Sequence, residues 1–321
     1  CGMCMLHRFK NSSLRHREGV LSYLVNAIGH IQLNVTVMDE LVSEATDILG
    51  LHVTRRTDNQ TWLSSNGRQA ELVLHKAAEN SVRSIGFEAV STAAVAEAAS
   101  RVADAGCRLI SEKPTLDCCA AGIVFVTPQG HTFEIHTPIA DKIYDRRHYS
   151  AGVGAVRLDH INLTSPEPAE TRTQLEQIMG LRLTEKMVDD SLSWMRGGNQ
   201  LHHILGIVRG PTGVHHYSFE LAEFGDYCRL GDRLDTVGKE FVWGPGRHRP
   251  GDNTYAYYID ACGAMVELAS GMAMVADDDN YEPNIITALK RPENVRVMNV
   301  WGTPAPAPWL AHSFPYAKPA A

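Results

Sequence analysis

Apolar residues recur along this chain in short runs broken by Gly and polar clusters, the spacing of strands, and in four stretches with the spacing of helices. The first helical stretch is 38–49, where Leu41, Val42, Ala45, Ile48 and Leu49 share a face and Gly50 stops the run. Strand-like runs follow at 52–55, 61–64 and 71–75. A second unit opens with 85–90, continues with an Ala-rich helix over 92–105 that Gly106 ends, and closes with 108–111, 122–127 and 132–136. The order then returns. Strand 158–164, helix 167–179 and strands near 181–186, 192–196 and 202–208 precede strand 215–221, helix 224–237 and strands near 241–243, 254–259 and 264–269. The pattern predicts an α+β fold of two tandem domains, each of paired βαβββ modules on strongly curved mixed sheets.

Three landmarks support duplication. His30 in Ile28-Gly29-His30-Ile31 answers to His160 in Leu158-Asp159-His160-Ile161, a shift of 160 − 30 = 130. Phe87-Glu88 answers to Phe219-Glu220 at 132, and Glu134 in Phe133-Glu134-Ile135 to Glu267 in Val266-Glu267-Leu268 at 133. The expected boundaries are a mobile leader at 1–24, an N-terminal domain at 25–145, a catalytic domain at 150–300 and a tail at 301–321. Pro304, Pro306, Pro308, Pro315 and Pro319 lead us to expect neither helix nor strand in that tail, only a surface wrap.

Composition narrows the function classes. A length of 321 residues suits about two domains, and 30 Lys and Arg against 37 Asp and Glu give a net charge of −7, which disfavours a nucleic-acid partner. No apolar run has membrane-helix length and the start does not read as a secretory signal, so no membrane association and a cytoplasmic location are expected. Seven cysteines, an odd number, suit a reducing compartment. Cys1-x-x-Cys4 has no partner pair, Cys118-Cys119 reads as an unbridged loop pair, and Asp277-Asp278-Asp279 reads as a solvated turn.

The chemistry concentrates in the second copy. His160, His216 and Glu267 fall on three strands, and two imidazoles with one carboxylate form the facial set that leaves open positions on a divalent metal. A carboxylate between Val266 and Leu268 also needs a cation or metal to offset its burial. The first copy offers His30, Ser84 and Glu134. Ser84 stands where the central imidazole should be, so that copy reads as scaffold and oligomer surface.

These residues resemble the vicinal oxygen chelate superfamily, and the second half is similar to its type I extradiol ring-cleavage dioxygenases, nearest the homoprotocatechuate and catechol 2,3-dioxygenase branch. Gly244-Pro245-Gly246-Arg247-His248 precedes Tyr257 by nine residues from His248, and Tyr257 precedes Glu267 by ten. The resemblance implies non-haem Fe(II), with Mn(II) as the alternative, on His160, His216 and Glu267. It implies His203, His248 and Tyr257 as catalytic residues, a catechol and O₂ as partners, a role in aromatic-compound breakdown, and a homodimer or homotetramer. Strand alternation lets only one of each pair face the metal without saying which; the resemblance implies His203 rather than His202 and His216 rather than His215. Asn162, Trp194, Trp243, Tyr255 and Arg247 are the expected substrate contacts. Where that branch carries an Arg thought to meet a substrate carboxylate, this chain has Trp243, and an indole cannot pair with a carboxylate. The expected substrate is therefore a catechol with an apolar or aromatic substituent, with Arg291 and Arg296 as candidates for any remaining charge. Rival readings are a metal-dependent isomerase or lyase of the same superfamily and a protein that binds an aromatic compound without transforming it.

Overall fold

The computed structural model describes residues 23–139, 152–287 and 298–317. In the first half β1 (Val25–Val35) leads to α1 (Met38–Glu44), which a π-type turn extends over Ala45–Leu49 until Gly50 ends it at a positive φ of 81°. Three strands follow: β2 (His52–Arg56), β3 (Gln60–Ser64) and β4 (Leu72–Lys76). The second unit is β5 (Ser81–Ala89), α2 (Thr92–Arg101), β6 (Arg108–Ser111), β7 (Gly122–Val126) and β8 (Thr132–His136). Ser91 caps α2 by accepting the Ala94 amide proton.

The second half repeats the order. It comprises β9 (Leu158–Ser165), α3 (Pro168–Met179), β10 (Arg182–Met187), β11 (Leu192–Arg196) and β12 (Leu205–Arg209). Then come β13 (Gly213–Glu220), α4 (Asp226–Thr236), β14 (Trp243–His248), β15 (Thr254–Ile259) and β16 (Met265–Ser270). The first sheet is ordered β2-β3-β4-β1-β5-β8-β7-β6, and the second carries the matching core β10-β11-β12-β9-β13-β16-β15-β14. In each, a central antiparallel pair is flanked by two parallel neighbours. One continuous apolar core joins the helices to the strands of both halves. Backbone bonds from Gly198 and Asn199 to Val25 and Asn26, and from Leu24 to Met179, tie the halves together. His131 adds a bond across the junction, its Nε2 donating to the Thr164 carbonyl at 2.8 Å.

The tail departs from expectation. After β17 (Asn284–Ile286), which pairs with β10, β18 (Asn299–Trp301) pairs with β14, a helical turn α5 (Ala307–Leu310) follows Pro306, and β19 (Phe314–Pro315) pairs with β13. Pro308 sits within the first turn of α5, where the missing N–H is no loss, and Pro315 occupies a two-residue edge pair. Phe314 and Tyr316 are buried, so this segment docks into the core. The acidic run is not simply solvated either. Asp278 accepts bonds from Arg182, Arg196 and Tyr23, binding that loop to β10 and β11. Nearly all of the expected leader, Cys1 and Cys4 included, and Arg291 and Arg296 lie outside the described residues. No helix among the described residues is long and apolar enough to cross a membrane.

Candidate metal centre and its cavity

Register brings the three ligand candidates together. On neighbouring strands, Ser218 of β13 pairs with His160 of β9 on one side and Glu267 of β16 on the other, and His216 lies two residues along on the same face. One donor atom from each of His160, His216 and Glu267 lies within 4.8 Å of the others, and all three residues are about 1% exposed. The Nε2 atoms of His160 and His216 approach the same oxygen, Glu267 Oε2, at 2.9 and 3.0 Å. His160 Nδ1 donates to Asp159 Oδ2 at 2.9 Å, so the opposite ring nitrogen faces the centre. Burial alone would lower the His160 pKa and raise that of Glu267. Their mutual attraction more than offsets it, holding His160 up at about 9 and the Glu267 carboxyl well below the usual carboxylate range. Two nitrogens and one carboxylate oxygen converging from one side fit a divalent cation with open positions opposite.

A cavity enclosing about 770 Å³ of empty space, part of it open to solvent, abuts this cluster. Asn162, Trp194, His203, Trp243, His248 and Tyr257 line it with the triad. His203 stacks edge-on against His160 at 4.5 Å, and burial followed by the nearby His160 charge keeps its pKa well below the ordinary value. His202 turns towards Glu185 instead, Nε2 to Oε2 3.6 Å. Neither lies on a strand: β12 begins at Leu205 rather than 202. Asn162 fits because the facing residue on β12 is Gly206, where a Cβ would collide with Asn162 Oδ1.

Tyr257 and His248 form a directed pair. Asn299 Nδ2 donates to the Thr303 carbonyl at 3.1 Å, which leaves its Oδ1 to accept from His248 Nδ1 at 3.2 Å. His248 Nε2 is then the acceptor for the Tyr257 hydroxyl at 2.9 Å. The β14 expectation was too short, since this strand extends over Trp243–His248 and so includes His248.

Two expected substrate contacts are corrected. Arg247 does not line the cavity; its side chain is partly exposed and pairs with Asp252 at 3.3 Å. Tyr255 lies behind the wall, stacked on His248 with centroids 3.8 Å apart and packed with Trp243, Tyr257 and Met265. Conversely, sequence reasoning missed Asn253, whose amide reaches Glu267 Oε1 at 3.4 Å, and Trp309 and Leu310 of the tail, which wall the cavity. It also missed His215. A register irregularity between Val214 and His216 suspends alternation, and His215 lines the cavity beside His216, Nδ1 to Nδ1 2.7 Å.

The first half shows the same ladder with a different filling. Ser84 pairs with Gln32 as His216 does with Asn162, and Gly86 pairs with His30 and Glu134 as Ser218 does with the two ligand residues. Both Glu134 oxygens are taken by Thr115, through its amide and its hydroxyl, and His30 Nε2 stands 3.5 Å away.

Residues 27–135 match the model of the Glyoxalase/Bleomycin resistance protein/Dioxygenase superfamily. This stretch is a domain of that superfamily. The second half repeats its βαβββ order and sheet topology. Metapyrocatechase from Pseudomonas sp. (strain CF600) is 26% identical over 276 residues, 79% of this chain and 87% of that protein. A Mn(II)-bound glyoxalase from Novosphingobium aromaticivorans superposes with a TM-score of 0.80 at 26% identity, covering 92% of this chain and 97% of the other. Homoprotocatechuate 2,3-dioxygenase from Arthrobacter globiformis superposes at 0.81 with 24% identity, over 94% and 95% of the two chains, which shows a common fold.

Proposed function

We propose that this protein is an extradiol dioxygenase that uses O₂ to open a catechol ring beside one hydroxyl, with Fe(II) or Mn(II) held by His160, His216 and Glu267. The observation that carries the reading is the one-sided cluster of two imidazoles and a carboxylate, set against an apolar cavity whose other polar groups include His203 and the Tyr257–His248 pair. When bound, such a metal lowers the pKa of a coordinated hydroxyl and leaves positions for further ligands. The likeness to metapyrocatechase supports the reaction class.

The chain's own groups divide the remaining work. Tyr257 donates its hydroxyl hydrogen bond to His248, which leaves its oxygen to accept one from a catechol hydroxyl. His203, kept neutral by burial, lines the cavity beside His160, where it can accept and return a proton. Trp194, Trp243 and Trp309 supply flat apolar walls. No Lys or Arg lines the cavity among the described residues, so a carboxylate on the substrate would enter unpaired. An alkyl or aryl catechol is therefore the preferred substrate.

Oxygen uptake and near-visible absorbance, followed after anaerobic loading with Fe(II) or Mn(II), test this. Expected is one O₂ consumed per alkyl- or arylcatechol, with a yellow ring-opened product, and weaker turnover of carboxylate-bearing catechols. Metal binding without O₂ uptake by any catechol would overturn it. The full-length likeness to a Mn(II)-bound glyoxalase favours a second reading, a metal-dependent isomerase or lyase, which would then come forward.

A further inference from the structure

We propose that His215 is a positioning residue that sets the tautomer of His216, and that the backbone carbonyl of Trp309 in turn sets His215. The proposal rests on the reading of His216 as a metal ligand. A carbonyl oxygen can only accept, so His215 Nε2, 2.8 Å from Trp309 O, carries a proton. His215 is 3% exposed and no carboxylate among the described residues pairs with it, which keeps it neutral and leaves Nδ1 with a lone pair. That lone pair lies 2.7 Å from His216 Nδ1. Two lone pairs cannot face each other at such a distance, so His216 Nδ1 is the donor. Its Nε2 is then free to stay unprotonated beside Glu267 and His160 once a cation sits between them, the form a divalent cation requires; without the cation, the 3.0 Å contact with Glu267 Oε2 holds a proton on that nitrogen.

The two histidines of the triad are thus oriented by different means. His160 is held by Asp159, its neighbour in sequence, whereas His216 is held through His215 by a carbonyl 94 residues downstream of His215. The first half has the same strand irregularity, at Arg83 between Val82 and Ser84, but there the displaced residue is exposed. The covering segment around Trp309 therefore turns a surface kink into a ligand support. The same turn contributes the Trp309 ring and Leu310 to the cavity wall. Substrate space and metal-ligand orientation share one short stretch of chain.

The test uses the full chain with Mn(II) as probe and a chelator in competition. Asn at position 215 places an amide where Nδ1 stood, Gln places one where Nε2 stood, and Phe removes both. Expected is a Kd weakened by about 10- to 100-fold in His215→Phe and His215→Gln, with His215→Asn close to wild type. In ¹⁵N-histidine spectra of the Zn(II)-loaded wild-type chain, His216 should carry its proton on Nδ1. Equal Kd values in all four proteins, or an Asn variant as weak as the Phe variant, would overturn the assignment of His215 while leaving the triad standing. If Phe disturbs folding, the Asn and Gln pair decides. No Mn(II) binding by the wild type would instead overturn the triad itself.

Discussion

Around Glu134 the protein supplies its own hydrogen-bond donors, whereas around Glu267 it supplies two imidazole nitrogens on one oxygen and a long amide contact on the other. The strand ladders beneath are the same. What differs is the filling of the inner face. Trp62 and Val73 pair across the first sheet and are covered by Leu116, Cys119 and Ile139 in a small core of their own. Their counterparts are Trp194 and Gly206, and there the space stays open as the cavity. Gln32, in the place of Asn162, is tied to His30, His75 and Thr115. The fold by itself therefore does not make a metal site. Vacant inner-face volume and a carboxylate short of protein donors are what the proposed metal site adds to it.

The largest effect expected from breaking this contrast is at Glu267. Glu267→Gln should weaken Mn(II) binding by more than the roughly 10–100-fold that supporting partners of ligands carry, whereas Glu134→Gln should leave one ion per chain by elemental analysis. A loss of metal in the Glu134 variant would end the distinction between the halves.

The junction comes next. Burial holds the His131 pKa down to about 4, against 6.5 for the free side chain, while its bond to Thr164 opposes the shift. A depressed folded value means the stabilisation is complete above pH 6.5 and is lost as pH falls through 4. The acid limb of a melting-temperature profile should thus include on the order of 3 kcal/mol from this residue. His131→Gln, which keeps a donor without titrating, should flatten it.

Giving the second sheet the first sheet's residue is a milder change. Gly206→Val puts a side chain where Asn162 now lies and should cost about 1–3 kcal/mol, with a raised KM for catechols and the ion retained. A variant with unchanged melting and kinetics would show that Gly206 does not make the room. The smallest effect is the reverse exchange. Ser84→His restores the missing imidazole, but Thr115 still occupies Glu134, so metal analysis should continue to give one ion per chain.

The ladder was legible in the sequence because strand order and ligand positions repeat at nearly constant shift, and because His248, Tyr257 and Glu267 stand at the spacings of the family the second half resembles. Arg247 could not have been excluded by the pleat rule that separates Val266 and Leu268 from Glu267, because the strand is irregular between Arg247 and His248. The pairing of His215 with His216 could not have been read, since a register irregularity leaves no compositional mark. Nor could the docking of residues 303–316, whose prolines argue locally against structure. Its stabilisation comes from distant partners: β13 for Phe314, His215 for Trp309, and Asn299 and Trp243 for Thr303.

That docking segment also gives the site a chronology. A ribosome completes the ligand set at Glu267 and needs 43 more residues to reach Leu310 (310 − 267), a few seconds at about 5–20 residues per second. Throughout that interval the nascent triad lacks the wall formed by Trp309 and Leu310, and His216 lacks the carbonyl behind its orientation. Metal capture during synthesis would meet an open, loosely aimed cluster. Capture after release would meet a finished one, so on the proposed metal reading the timing of metal supply would bear on how the protein matures.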